Sequence, residues 1–276
     1  MRKEILIIAV ILLSTAGFAS AQEKQLSGTI DITYLSSYIW RGFDYYADDH
    51  SAFQTGIGID LYGTGVGVDV MLTRAFSEFE NAERISVGLH YSNTFFEAET
   101  YATDYKVGWV YYGFPDESRS GSKTHPNAQA ADMQEFFASL TWPNICPAGV
   151  VPSYTVLTMW PSEGDSAARK NAGWAHIIGL GYDLVVPGLL PDSPEQTLHF
   201  SLAMVYNDGV APGVVIGPAS GTVDHDWSHA VLGLSTDFEV GDNLTFTPAV
   251  YYQSSWEDSV NTEDEAWVSL NMRYAF

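Results

Sequence analysis

The chain is short of cysteine, of basic residues and of long apolar runs, and each shortage excludes something. Its single cysteine, Cys146 in "WPNICPAGV", has no partner within the chain, so no internal disulfide braces the fold. Lys and Arg number 12 against 34 Asp and Glu, a formal charge of −22, which argues against a nucleic-acid partner. The apolar run from Ile5 to Leu13 follows Arg2 and Lys3 and precedes small residues. It is too short for a bilayer-spanning helix, which takes about 20 residues, and no later stretch supplies one. The pattern reads as a secretory signal peptide over residues 1–21, with Ala19-Ser20-Ala21 as the cleavage site and 22–276 as the exported domain. No cysteine follows that site to carry a lipid anchor.

What the chain does have is glycine, aromatic residues and a period of two. In "SLNMRYAF", Leu270, Met272, Tyr274 and Phe276 share one face while Ser269, Asn271, Arg273 and Ala275 share the other. "TLHFSLAMVY" and "ERISVGLHYSNTF" repeat the arrangement, one face greasy and the other small or polar. A soluble antiparallel sandwich alternates too, so other features must decide. Strand-like segments fall near 28–42, 52–62, 66–76, 84–95, 99–112, 134–142, 151–160, 172–184, 196–206, 229–238, 243–254 and 266–276. Most reach the ~9–11 residues a tilted membrane strand needs, longer than the ~5–6 of a typical globular strand.

The connections sort as well. Tight turns at 63–65, 96–98 and 239–242, with Pro-rich ones at 143–150 and 185–195, alternate with longer acidic segments at 43–51, 77–83, 113–133, 161–171, 207–228 and 255–265. Short periplasmic turns and long outer loops are the mark of an outer-membrane barrel. Aromatics near strand ends, Trp40, Trp109, Tyr274 and Phe276 among them, fit the girdles where hydrocarbon meets headgroups. The expected fold is all-β: a transmembrane antiparallel up-and-down β-barrel of about 12 strands. "EFFASLTW" and "SYTVLTMW" do not alternate cleanly, so the count is least secure around 134–160.

Chemistry is weakly represented. His90 and Ser92 share a face, but that face turns inward and no base-orienting partner or Gly-x-Ser-x-Gly motif accompanies them. "DHDWSH" (Asp224, His225, Asp226, His229) and "DYYADDH" (Asp44, Asp48, Asp49, His50) match no defined metal cage and read as solvated loops. The chain is read as neither an enzyme nor a cofactor or metal protein. With the apolar face outward, Asp31, Asp60, Asp69, His90, Lys106, Asp183, Asp237 and Arg273 line an aqueous lumen. On the lipid face each Lys or Arg would cost ~2–4 kcal/mol at the midplane. In "YLSSYIWRGF", parity makes Trp40 an outer-leaflet anchor and turns Arg41 inward at the mouth.

The C-terminal strand ending in Phe276 resembles the signal by which outer-membrane barrels are recognised for assembly, which implies the barrel-assembly machinery as a partner. "DITYLSSYIWRGFDYY…SAFQTGIGIDLYGTGVGVDV", roughly residues 30–75, resembles TorF-type outer-membrane porins, marked by a Ser-rich strand ending in Tyr-Val/Ile-Trp-Arg-Gly. The acidic "YYADDH" after the motif departs from that pattern. The resemblance implies passage of small solutes across an outer membrane of lipid and lipopolysaccharide. Acidic mouth and lining predict a passive, weakly cation-selective pore. The alternative is a closed barrel that binds or supports at the surface through its acidic loops.

Overall fold

The computed structural model describes residues 26–46, 50–77, 83–115, 132–162, 172–188, 194–211 and 223–276. The expected signal peptide, residues 1–21, and most of the segment 113–133 lie outside them. No helix among the described residues is long and apolar enough to cross a membrane.

The strands are β1 (Ser27–Leu35), β2 (Ile39–Trp40), β3 (Phe43–Asp44), β4 (Ala52–Asp60), β5 (Val66–Ala75), β6 (Arg84–Phe95), β7 (Thr103–Gly113), β8 (Met133–Thr141), β9 (Val150–Pro161), β10 (Gly173–Pro187), β11 (Glu195–Asp208), β12 (His225–Thr236), β13 (Phe238–Glu239), β14 (Leu244–Ser255) and β15 (Glu265–Ala275). Each long strand pairs antiparallel with the next, and β1 closes onto β15 with Asp31 opposite Arg273 and Tyr34 opposite Leu270. The short β13 continues β12 past Asp237 along the same partner, so the closed wall has 12 strands. Reciprocal bonds between the backbones of Gly28 and Phe276 lock the seam at its end. Closure removes the free sheet edges that lipid could not satisfy.

Alternation then decides what faces where. Ile30, Ile32, Ile57, Val70, Leu89, Leu180, Leu232 and Leu270 project from the outer wall and are exposed, as a lipid-facing band requires. An apolar groove of about 520 Å³, edged by Leu180, Phe200, Leu232 and Tyr252, lies on this outer wall and is no part of the lumen. The barrel has a turn end, where β1 begins, β15 ends and the tight turns lie, and a loop end.

Sequence and structure part company in the first segment. The strand expected over 28–42 leaves the wall after Leu35, and Ile39–Trp40 pairs instead with Phe43–Asp44. The turn between them uses left-handed backbone at Arg41 (φ 56°) and Gly42 (φ 91°). Residues 37–46 thus form a hairpin that folds into the barrel from the loop end. Its side chains are the core of the molecule: Tyr38, Phe43, Tyr45 and Tyr46 are at most 4% exposed.

Candidate functional site

The two halves of the lumen differ completely. Toward the loop end, inward side chains from successive strands are shut off from water: Ala52, Thr73, Arg84, Glu135, Leu157, Ala175, His229 and Gln253 are all between 0% and 4% exposed. They are covered by the hairpin, whose Tyr38, Tyr45 and Tyr46 pack with Tyr112, Met133, Leu157 and Met159. Toward the turn end the inward carboxylates stay wet, with side chains of Asp69, Asp183 and Asp237 at 53%, 67% and 47% exposure. Among the described residues, the lumen is wet toward the turn end and filled at the loop end.

The filling explains why the eighth and ninth strands resist a parity reading. Phe136 projects from the outer wall, while Phe137, Leu157 and Met159 point inward against the hairpin cluster. Large apolar side chains therefore stand on both faces, outward on the exposed wall and inward under the hairpin. Glu135 is the one charge in "MQEFFASLT", and it is the centre of the site.

Arg41 reaches across from the hairpin turn and donates from Nη2 to Glu135 Oε2 at 2.6 Å. Tyr112 Oη donates to the same oxygen at 3.2 Å. Burial works to lower the Arg41 pKa, but the Glu135 carboxylate and Tyr112 outweigh it and push it above its ordinary value. The guanidinium is therefore charged under all working conditions. Beside it, the Arg84 guanidinium lies 3.8 Å from the centre of the Trp40 ring and donates to the Tyr38 hydroxyl. On the far side of the lumen, Gln253 Nε2 donates to the Gly42 carbonyl at 2.7 Å. A Cβ on Gly42 would sit 2.4 Å from the His229 ring.

His229 is brought there by an irregularity. The β11–β12 register shifts between Val205 and Tyr206, so Trp227 and His229 do not share a face as strict alternation demands. Trp227 stays exposed, while Ser228 and His229 are both buried.

The vestibule holds most of the residues that parity turned inward. Arg273 Nε donates to Asp31 Oδ1 at 2.7 Å, and Thr29 donates to the other oxygen at 3.0 Å. His90 Nδ1 is 2.9 Å from Asp69, and His199 lies 2.8 Å from Asp183 and 3.7 Å from Asp237. Lys106 stands opposite Ser92 and Ser139 in the ladders. Asp60 is at the rim, where its carboxylate caps the turn by accepting from the Gly63 backbone N–H.

The expectations for the mouth need correction. Trp40 is no outer-leaflet anchor: it sits inside the barrel, 5.0 Å from Tyr112 and 5.7 Å from Tyr45 between ring centres. The reason is the turn at Arg41–Gly42, which folds the strand's end back into the lumen. Arg41 does point inward, but as a partly buried ion paired with the buried Glu135 rather than a free rim charge. Trp109, Tyr274 and Phe276 project from the outer wall, and Trp109 donates to Gln134 at 3.1 Å. Sequence reading missed Glu135, Arg84 and Gln253. A clue was present in Glu135, the one charged residue of β8, and in Arg84, the one Arg or Lys of β6.

No protein-family model and no curated protein matches the sequence. Solved structures resemble it in fold. A KdgM porin, in complex with disordered oligogalacturonate, shares 9% identity over 90% of this chain and 99% of its own, with a TM-score of 0.51. A NanC porin shares 8% identity over 89% and 98%, with a TM-score of 0.49. An outer-membrane channel from Pseudomonas putida F1 shares 8% over 95% and 98%, with a TM-score of 0.48. The class this defines is a fold: the closed 12-strand antiparallel barrel of the KdgM porin.

Proposed function

We propose that this chain is an outer-membrane channel for small solutes, with its turn end in the periplasm and its outer half closed at rest by the hairpin 37–46. The observation that carries the reading is the two-part lumen. A closed barrel with a lipid-ready exterior contains a wet, carboxylate-lined vestibule that serves no purpose in a solid wall protein. Asp31, Asp69, Asp183 and Asp237 outweigh Arg273 and Lys106 there, and their summed field concentrates cations and repels anions. The resemblance of residues 30–75 to TorF-type porins supports the same class, and Phe276 at the end of the seam suits recognition by the barrel-assembly machinery. Trp109 and Tyr274 would rest against lipid and lipopolysaccharide. Nothing in this reading requires an enzyme activity.

A reversal-potential measurement in asymmetric KCl tests it. The expectation is a modest preference for K⁺ that shrinks with salt as the field is screened; anion preference contradicts it. The second reading, a permanently closed binding or structural barrel, is favoured by the burial of the loop-end wall. It predicts no conductance steps even after the hairpin is removed.

A further inference from the structure

The wall beneath the hairpin is mixed: beside apolar Ala52, Leu157, Met159 and Ala175 it carries a set of polar side chains. Thr73, Arg84, Glu135, Asn207, His229 and Gln253 point into the filled half and are all nine-tenths or more buried. A wall that only ever met an aromatic plug would be apolar, because buried polar groups without partners are penalised. The mismatch shows at Arg84 Nε and Nη1 and at Gln253 Oε1, which have no hydrogen-bond partner. Glu135 is different. It is satisfied, by a guanidinium that the hairpin itself supplies and by the Tyr112 hydroxyl.

We propose that Glu135, together with Tyr112, is a binding site for the guanidinium or ammonium group of a permeating solute, and that Arg41 occupies this site at rest as an internal stand-in. The proposal rests on the channel reading above and adds the solute's chemical class. When the hairpin withdraws, Arg41 leaves with it and Glu135 remains on β8 beside Tyr112 as a fixed carboxylate facing the lumen. A fixed negative charge there attracts a cation. The planar fork of a guanidinium fits a carboxylate directly, and the acidic vestibule steers the same sign of charge toward it. A solute cation therefore competes with Arg41 and shifts the population toward the open barrel by mass action.

Single-channel recording of the full chain in KCl tests this, with free arginine as probe and glutamate and mannitol as controls. Arginine raises the open probability of the wild type about tenfold or more and saturates, an effect of population shift; glutamate and mannitol leave it unchanged. In Arg41→Gln the site is vacant, and arginine now interrupts the open current. In Glu135→Gln the latch is gone, basal opening rises, and arginine has no effect of its own. Glu135→Asp, which keeps the charge but withdraws it by one methylene, retains a weakened response. Heat-dependent gel mobility confirms that each variant is folded. KCl steps that ignore arginine in both wild type and Arg41→Gln, or an arginine response unchanged in Glu135→Gln and Glu135→Asp, overturn this assignment and leave the channel reading intact. The absence of steps in every variant overturns both.

Discussion

Arg41 makes the ion pair that ties the hairpin to the barrel wall. It holds a left-handed backbone conformation that a non-glycine residue adopts at some cost, and it brings its guanidinium to a carboxylate that is 3% exposed. Removing one partner of such a pair leaves the other charge buried alone, a loss of about 3–5 kcal/mol. Arg41→Ala should therefore undock the hairpin, seen as rapid protease cleavage within 37–46 where the wild type resists; equal resistance would show that the ion pair is dispensable. Trp40→Ala removes the ring over Arg84, a contact worth ~2 kcal/mol when desolvated, and should loosen the hairpin in the same assay to a smaller degree. The sequence made Arg41 an inward charge from parity alone. It could not place Glu135, whose same-face neighbours Met133 and Phe137 are apolar, because that signature belongs to a filled lumen, and among the described residues it is the inserted hairpin that fills it.

At the scale of elements, the hairpin, the β11–β12 bulge and the loop after β14 work together. Gly42 is required twice over, by its positive φ and by its contact with His229. Gly42→Ala should destabilise docking by strain and by clash, on the order of 1–3 kcal/mol, with more frequent channel opening as the readout. Against this, burying Phe43 alone is worth roughly 1.5–3 kcal/mol, so the closed state is expected to prevail in the wild type. Phe43 packs with Val260 of the loop between β14 and β15, where Asp264 accepts bonds from Tyr252 Oη at 2.6 Å and the Ser255 N–H at 2.8 Å. The Tyr252 bond, then the backbone bond, holds the Asp264 pKa below its ordinary value. A depressed folded pKa means that this contribution is full above the ordinary carboxylate pKa and is lost as pH falls through the lower folded value. Amide exchange in 256–264 should accelerate in that acid window, and Tyr252→Phe should move the onset upward; a pH-independent loop would contradict the assignment. Strand existence was legible from the period of two, which reports the wall. The hairpin and the bulge were not, since each breaks the period by a backbone turn or a single extra residue that side-chain pattern does not encode.

For the whole molecule, the legible part was what a bilayer imposes: apolar alternate faces, long strands, tight turns at one end and inward charges such as Asp31, Asp69 and Asp183. The illegible part was whether the barrel is hollow, because the fate of a loop inside a lumen depends on contacts as distant in sequence as Gly42 and Gln253. On the channel reading proposed above, the hairpin 37–46 is what stands between a vestibule and a pore. The direct test is single-channel recording of the wild type beside a variant in which residues 37–46 are replaced by a short Gly/Ser linker, both shown to be folded by heat-dependent gel mobility. The wild type is expected to stay mostly closed with brief steps and the variant to be persistently open and cation-preferring; a silent variant, or a wild type that conducts just as freely, would contradict the hairpin's role.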